Sequence, residues 1–117
     1  MQQRQLGPFQ VSAIGLGCMN ICHAYGAPAS EAEAERLLLA ALDAGVTHFD
    51  TAALYGFGVS ETLIGRFLSK HRSKFILASK CGMTGVPNAD GVKVRVIDGR
   101  PATLKATCEE ALPRLQT

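Results

Sequence analysis

Two hydrophobic periodicities alternate in order along this chain, and that alternation limits what it can fold into more than any other feature. Short apolar runs of strand type, "VTHFDTA" (46–52) and "KFILASK" (74–80), alternate with longer segments whose apolar residues recur every three or four positions. A helix that follows each strand must return the chain across the sheet. With right-handed crossovers the outcome is a parallel sheet built from βαβ units, an α/β fold whose chemistry sits at the C-terminal ends of the strands.

The boundaries are readable residue by residue. "RQLGPFQVSAIGLG" (4–17) has two extended runs around Gly7 and Pro8, which predicts an N-terminal hairpin whose second run continues as strand through Ile14, Leu16 and Cys18. In "PASEAEAERLLLAALDAG" (28–45), Ser30 is the expected N-cap with Glu33 as its capping-box partner. Leu37, Leu38, Ala41 and Leu42 supply the inner face, and Gly45 ends the helix. Ser60 is the expected cap of a second helix with a stripe of Leu63, Ile64, Phe67 and Leu68. "KFILASK" reads as a third buried strand. Cys81 to Arg100 reads as a long loop, with "NADG" as a turn and "VKVRVI" alternating as in a small hairpin. Pro101 suits the first turn of a third helix with Leu104, Cys108, Ala111, Leu112 and Leu115 on one face. Pro113 breaks that pattern, at a cost of about 3 kcal/mol unless the last turn kinks or frays.

Composition narrows the function classes. With 47% hydrophobic and 19% charged residues, the 117-residue chain reads as one ordinary domain spanning 1–117. Its 12 basic and 10 acidic residues are scattered, with no basic run and no basic–aromatic interleaving, which argues against nucleic acid as a partner. "MQQRQLGPFQ" lacks a signal pattern, and Leu37 to Leu42 is too short an apolar run to span a membrane, so the expected setting is cytoplasmic. Cys18, Cys22, Cys81 and Cys108 lack paired spacing and are expected to be reduced thiols. Cys18, Cys22 and His23 do not have standard metal-ligand spacing, so no metal is expected.

Two successive strands end in opposite charges, Asp50 and Lys80, and right-handed crossovers bring those ends side by side. Charged residues at strand ends also pair weakly in solvent without any function. Tyr55 shifts that balance, because it lies on the short loop leaving the Asp50 strand, with Gly56 and Gly58 beside it to turn the backbone sharply. A neighbouring ammonium stabilises phenolate and lowers a phenol's pKa from about 10, so Tyr55 can serve as a general acid. Asp50 would hold Lys80 in place and charged, a relay suited to protonating an oxygen while hydride reaches its carbon.

"GVTHFDTAALYG", then "SETLIG", then "ILASKCG" closely resembles the N-terminal third of the aldo/keto reductases, TIM (β/α)8 barrels that reduce carbonyls with NADPH. The hairpin followed by "IGLGCMN" fits the same family, so the resemblance covers essentially the whole chain. The spacer from Ala52 to Glu61 is a few residues longer than in many members. The resemblance implies a partial barrel of an N-terminal hairpin and three βα units, and a small-molecule aldehyde or ketone as substrate. It implies Tyr55 as proton donor, Lys80 as the modulator of its acidity, and Asp50 as the lysine's partner and a contact to the nicotinamide ribose. Gly17, Cys18 and Met19 match the cofactor-facing end of the first strand, and Leu54 matches a position that lines the substrate pocket or is simply a buried loop leucine.

Family members carry a catalytic histidine at the end of the fourth barrel strand. The resemblance puts His48 in a structural role, while His71 and His23 fall in a polar link and a loop and are expected to be solvated. A full barrel takes eight units and about 250 residues. None of the three histidines present can replace the catalytic one, so the expectation is a truncated reductase that is inactive by itself and whose open sheet leaves it unstable, aggregating or dependent on a partner. Two other readings compete. A Rossmann module is suggested by "GLG" (15–17), but position 20 is Asn and no helix opens at the glycines. A non-catalytic reductase-like interaction subunit is favoured by the missing histidine and opposed by the intact Asp50, Tyr55 and Lys80. Neither the particular carbonyl substrate nor the oligomeric state is legible.

Overall fold

A computed structural model describes residues 1–22 and 26–117. Strands β1 (Gln3–Leu6) and β2 (Phe9–Ser12) form an antiparallel hairpin across Gly7, with Leu6 opposite Phe9. Strand β3 (Leu16–Gly17) is separate from it, and Ile14 between them is exposed rather than part of a continuous strand. Helix α1 (Glu31–Asp43), strand β4 (His48–Asp50), helix α2 (Val59–Leu68) and strand β5 (Ile76–Ala78) follow. The chain then makes a second antiparallel hairpin, β6 (Met83–Pro87) and β7 (Lys93–Ile97), before helix α3 (Pro101–Leu115). The predicted βαβ order is thus present, with β3, β4 and β5 side by side and parallel. No helix among the described residues is long and apolar enough to cross a membrane.

Local chemistry accounts for the element ends. At the start of α1 the Glu33 amide donates to Ser30 Oγ at 3.3 Å and the Ser30 amide donates to Glu33 Oε2 at 2.9 Å, which completes the capping box. At its end Gly45 takes φ +88°, and the Gly45 and Val46 amides donate back to Leu42 and Ala41, a Schellman closure that only a left-handed residue allows. Ser60 does not cap α2. Gly58, with φ +97°, is the cap, and Ser60 lies inside the first turn, fully buried. Helix α3 begins at Pro101 as expected and continues through Pro113, closing on Gln116 in the left-handed region.

The core lies between the sheet and the helices. Ala34 and Leu38 of α1, Leu63, Ile64 and Leu68 of α2, and Ala111 and Leu115 of α3 close over Phe49 of β4 and Phe75, whose rings meet edge to face at 5.1 Å. Leu37, expected inside, is 45% exposed, because the buried stripe of α1 runs through Ala34 and Leu38 instead. On α3, Leu112 and Cys108 are exposed and Leu104 is half-buried, so only the C-terminal half of the expected face is covered. β5 is half-buried throughout rather than buried, since it stands at the edge of the three-stranded sheet. His71 is half-buried rather than fully solvated, and His23 lies outside the described residues, together with any metal reading that includes it.

Candidate active site

Backbone pairing continues past the ends of β4 and β5. The Thr51 amide donates to Ala78 O at 2.8 Å and the Ala53 amide donates to Lys80 O at 3.1 Å, holding the two exits in register. Lys80 Nζ consequently reaches Asp50 Oδ2 at 2.6 Å and the carbonyl oxygen of Thr51 at 2.7 Å. Both side chains remain nearly half exposed, so the pair faces open space at the strand ends. Burial works to lower the lysine's pKa. The hydrogen bond and charge of Asp50, with Tyr55 adding to them, outweigh it and hold the ammonium above its ordinary range.

Tyr55 opens a short turn, Tyr55–Gly58, and its ring lies under the lysine, with Nζ 5.1 Å from the ring centroid. Three consecutive residues there, Gly56, Phe57 and Gly58, have positive φ. At Gly56 a side chain would also meet Val59 Cβ at 2.9 Å and Cys22 Sγ at 3.1 Å. Phe57 adopts φ +52° despite its bulk, with its ring set against Gly85 and Lys93. The structure thus brings Asp50, Lys80 and Tyr55 together as expected from their places in the chain.

The strand end is braced from behind by Ser60, which sequence pattern placed as a cap, and by Glu61, whose buried ion pair no sequence pattern indicated. Ser60 Oγ donates to the Cys18 carbonyl at 3.0 Å, and since its single proton is used there, Thr51 Oγ1 is the donor in their 2.8 Å contact. Glu61, also fully buried, accepts from Ser79 Oγ at 2.7 Å and from Arg114 Nε at 2.8 Å. The buried carboxylate therefore ties α2 to the end of β5 and to α3. A charged residue on an otherwise apolar helix stripe was the available signal, but its partner lies 53 positions away.

Among the expected cofactor contacts, Gly17 pairs with Asp50 across the sheet, and no heavy atom lies within 4 Å of where its Cβ would be. The space on the side-chain side of Gly17, next to its strand partner Asp50, is open. Cys18 belongs instead to the core: it is fully buried, and burial raises its thiol to about 12, with the nearby Asp50 charge adding to the effect. Met19 and Leu54 line a cavity of about 350 Å³ together with Tyr55, Lys80, Met83 and Arg95. This volume falls in the range of small-molecule sites.

The sequence model of the aldo/keto reductase family matches residues 13–117. The chain belongs to that family. It is similar to a probable aldo-keto reductase of Glycine max, at 34% identity over 98% of this chain and 34% of that protein. Among solved structures it resembles the holo form of an aldo-keto reductase from Bacillus halodurans, with 34% identity, a TM-score of 0.85, and coverage of 100% of this chain and 37% of the other. It also resembles an aldo/keto reductase from Klebsiella pneumoniae solved with NADP and acetate, at 30% identity and a TM-score of 0.68, covering 92% and 32% of the two chains. The aldo/keto reductase chain described here thus spans about a third of the length of these relatives, and its architecture is that of part of a TIM barrel.

Proposed function

We propose that this chain supplies the proton-donating part of an NADPH-dependent reductase that converts aldehydes or ketones to alcohols in the cytoplasm. One observation carries the reading: a phenol, an ammonium and a carboxylate meet at one strand edge, at the mouth of a largely apolar cavity. Open space at Gly17 beside the half-exposed Asp50 carboxylate suits a flat nicotinamide ring with its ribose, and Met19 lines the cavity that holds Tyr55 and Lys80. When bound there, the nicotinamide supplies hydride to the carbonyl carbon.

The residues of this chain act on the oxygen. Tyr55 donates its phenolic proton to the carbonyl oxygen as negative charge develops on it. Lys80, held charged by Asp50, stabilises the phenolate left behind across a distance of 5.1 Å to the ring. Asp50 and the Thr51 carbonyl fix the ammonium in place, so little reorganisation is needed as charge moves. Leu54 borders the cavity from the same loop and limits the width of the group that can approach Tyr55.

NADPH binding and turnover test this separately. Titrating NADPH while following its fluorescence should give saturable binding, and Tyr55→Phe should keep that affinity while lowering carbonyl reduction by about 10²- to 10⁴-fold. A Tyr55→Phe protein that reduces aldehydes at the original rate would remove the phenol from the mechanism. The absence of any fluorescence change at high NADPH would favour a non-catalytic role as an interaction subunit.

A further inference from the structure

Part of the cavity wall comes from the β6–β7 hairpin, a segment that the proton relay does not use. The register of this hairpin sets Gly85 directly opposite Arg95, with Met83 and Lys93 two residues away on the two strands, so all four share one face. That face is seated against Phe57. A side chain at Gly85 would collide with the Phe57 ring, so the glycine admits the ring, and Lys93 Nζ lies 5.5 Å from the ring centroid. At the hairpin base, the Asp98 amide donates to Gly82 O at 2.9 Å, while the Asp98 carboxylate accepts from Arg100 and from the Thr103 hydroxyl of α3. The hairpin is therefore fixed over the site, and Met83 and Arg95 are carried into the cavity wall.

The charges around the cavity are uneven. Lys80 is neutralised by Asp50, but Arg95 takes part in none of the ion pairs or side-chain hydrogen bonds among the described residues. Among the described residues no acidic side chain lines the cavity, and Met19, Leu54 and Met83 contribute apolar surface to its wall. An exposed guanidinium at the rim of an apolar cavity, held on an anchored hairpin, offers two parallel N–H donors to an anion. We propose that Arg95 receives the carboxylate of the substrate, and that the preferred substrates are carbonyl compounds bearing a carboxylate away from the reacting group. This rests on the reading of Tyr55 and Lys80 as the end of the cavity where the carbonyl binds.

The anion could instead be a phosphate of the dinucleotide, and the measurements separate the two sources. Calorimetry with 3- and 4-formylbenzoate, without cofactor, should show binding that weakens about tenfold in Arg95→Gln. It should be unchanged in Lys105→Gln, which removes an equal charge from the exposed face of α3. The NADPH affinity of Arg95→Gln should match the original. In turnover, the preference in kcat/KM for 4-formylbenzoate over 4-methylbenzaldehyde should fall by a similar factor and should diminish as salt is raised.

Equal formylbenzoate affinity in the original protein and Arg95→Gln would overturn the proposal, as would a loss confined to NADPH. Arg95-dependent formylbenzoate binding without any reduction would instead uphold the anion site and refute the reductase reading. Reduction of both aldehydes with a ratio indifferent to Arg95 would do the reverse.

Discussion

Replacing Arg114 by methionine breaks the ion pair that encloses Glu61 while leaving the stem of the side chain nearly the same size. The carboxylate is fully buried and the guanidinium about three-quarters buried, with 2.8 Å between Nε and Oε2. Removing one partner of such a pair strands a charge and costs about 3–5 kcal/mol, whereas replacing both by apolar groups is often neutral. Glu61 keeps its hydrogen bond from Ser79, so the lower end, about 3 kcal/mol, applies here. The weaker contact of Arg114 with exposed Glu110, at 3.7 Å, adds little. With a urea slope of about 1.5 kcal/mol per molar, the unfolding midpoint of Arg114→Met should fall by about 2 M. The double variant Glu61→Leu/Arg114→Met should recover most of that loss, to within about 1 kcal/mol of the original, because Ser79 is exposed and its hydroxyl can turn to water. If the single variant loses less than about 1 kcal/mol, or the double unfolds as readily as the single, the buried pair is not what holds α2, β5 and α3 together.

The other predictions concern packing, pH and thiol reactivity. Gly65→Ala should destabilise by about 1–3 kcal/mol despite the better helix propensity of alanine, since its Cβ would overlap the Arg114 carbonyl oxygen and lie 2.9 Å from the Leu115 carbonyl carbon. A stabilised Gly65→Ala protein in thermal unfolding would contradict this close crossing of α2 and α3. Because Lys80 is held charged above the ordinary lysine value of 10.5, its contribution to stability is fully present below that pH and is lost as pH rises through the folded pKa. Urea midpoints of the original protein and Lys80→Met should therefore converge above about pH 10.5, and parallel curves up to pH 11.5 would argue against the Asp50 pairing. Iodoacetamide at pH 8 should label exposed Cys81 and Cys108 quickly and spare buried Cys18, whose thiol is pushed up to about 12, as peptide mass mapping would show. Rapid native-state labelling of Cys18 would mean that the β3 end is open.

The sequence alone determined the order of elements, the caps of α1, the N-terminal and second hairpins, and the meeting of Asp50 with Lys80. Each of these follows from short-range rules or from the handedness of a crossover, both of which act within a few residues or within one βαβ unit. Ser60 shows where such rules stop: it has the right residue type for a cap, but Gly58 takes the left-handed position and the hydroxyl turns inward to the Cys18 carbonyl, 42 positions away. Leu37 and Leu38 are identical in type and adjacent, yet one is 45% exposed and the other fully buried, since helical spacing defines a stripe but not which edge of it meets the sheet. The half-covered β5, the enclosed Glu61 and the seating of Arg95 in the cavity wall were likewise decided by tertiary structure. Burial and charge pairing depend on which surfaces come into contact, and those partners are brought together from distant parts of the chain only when the sheet, helices and hairpin pack.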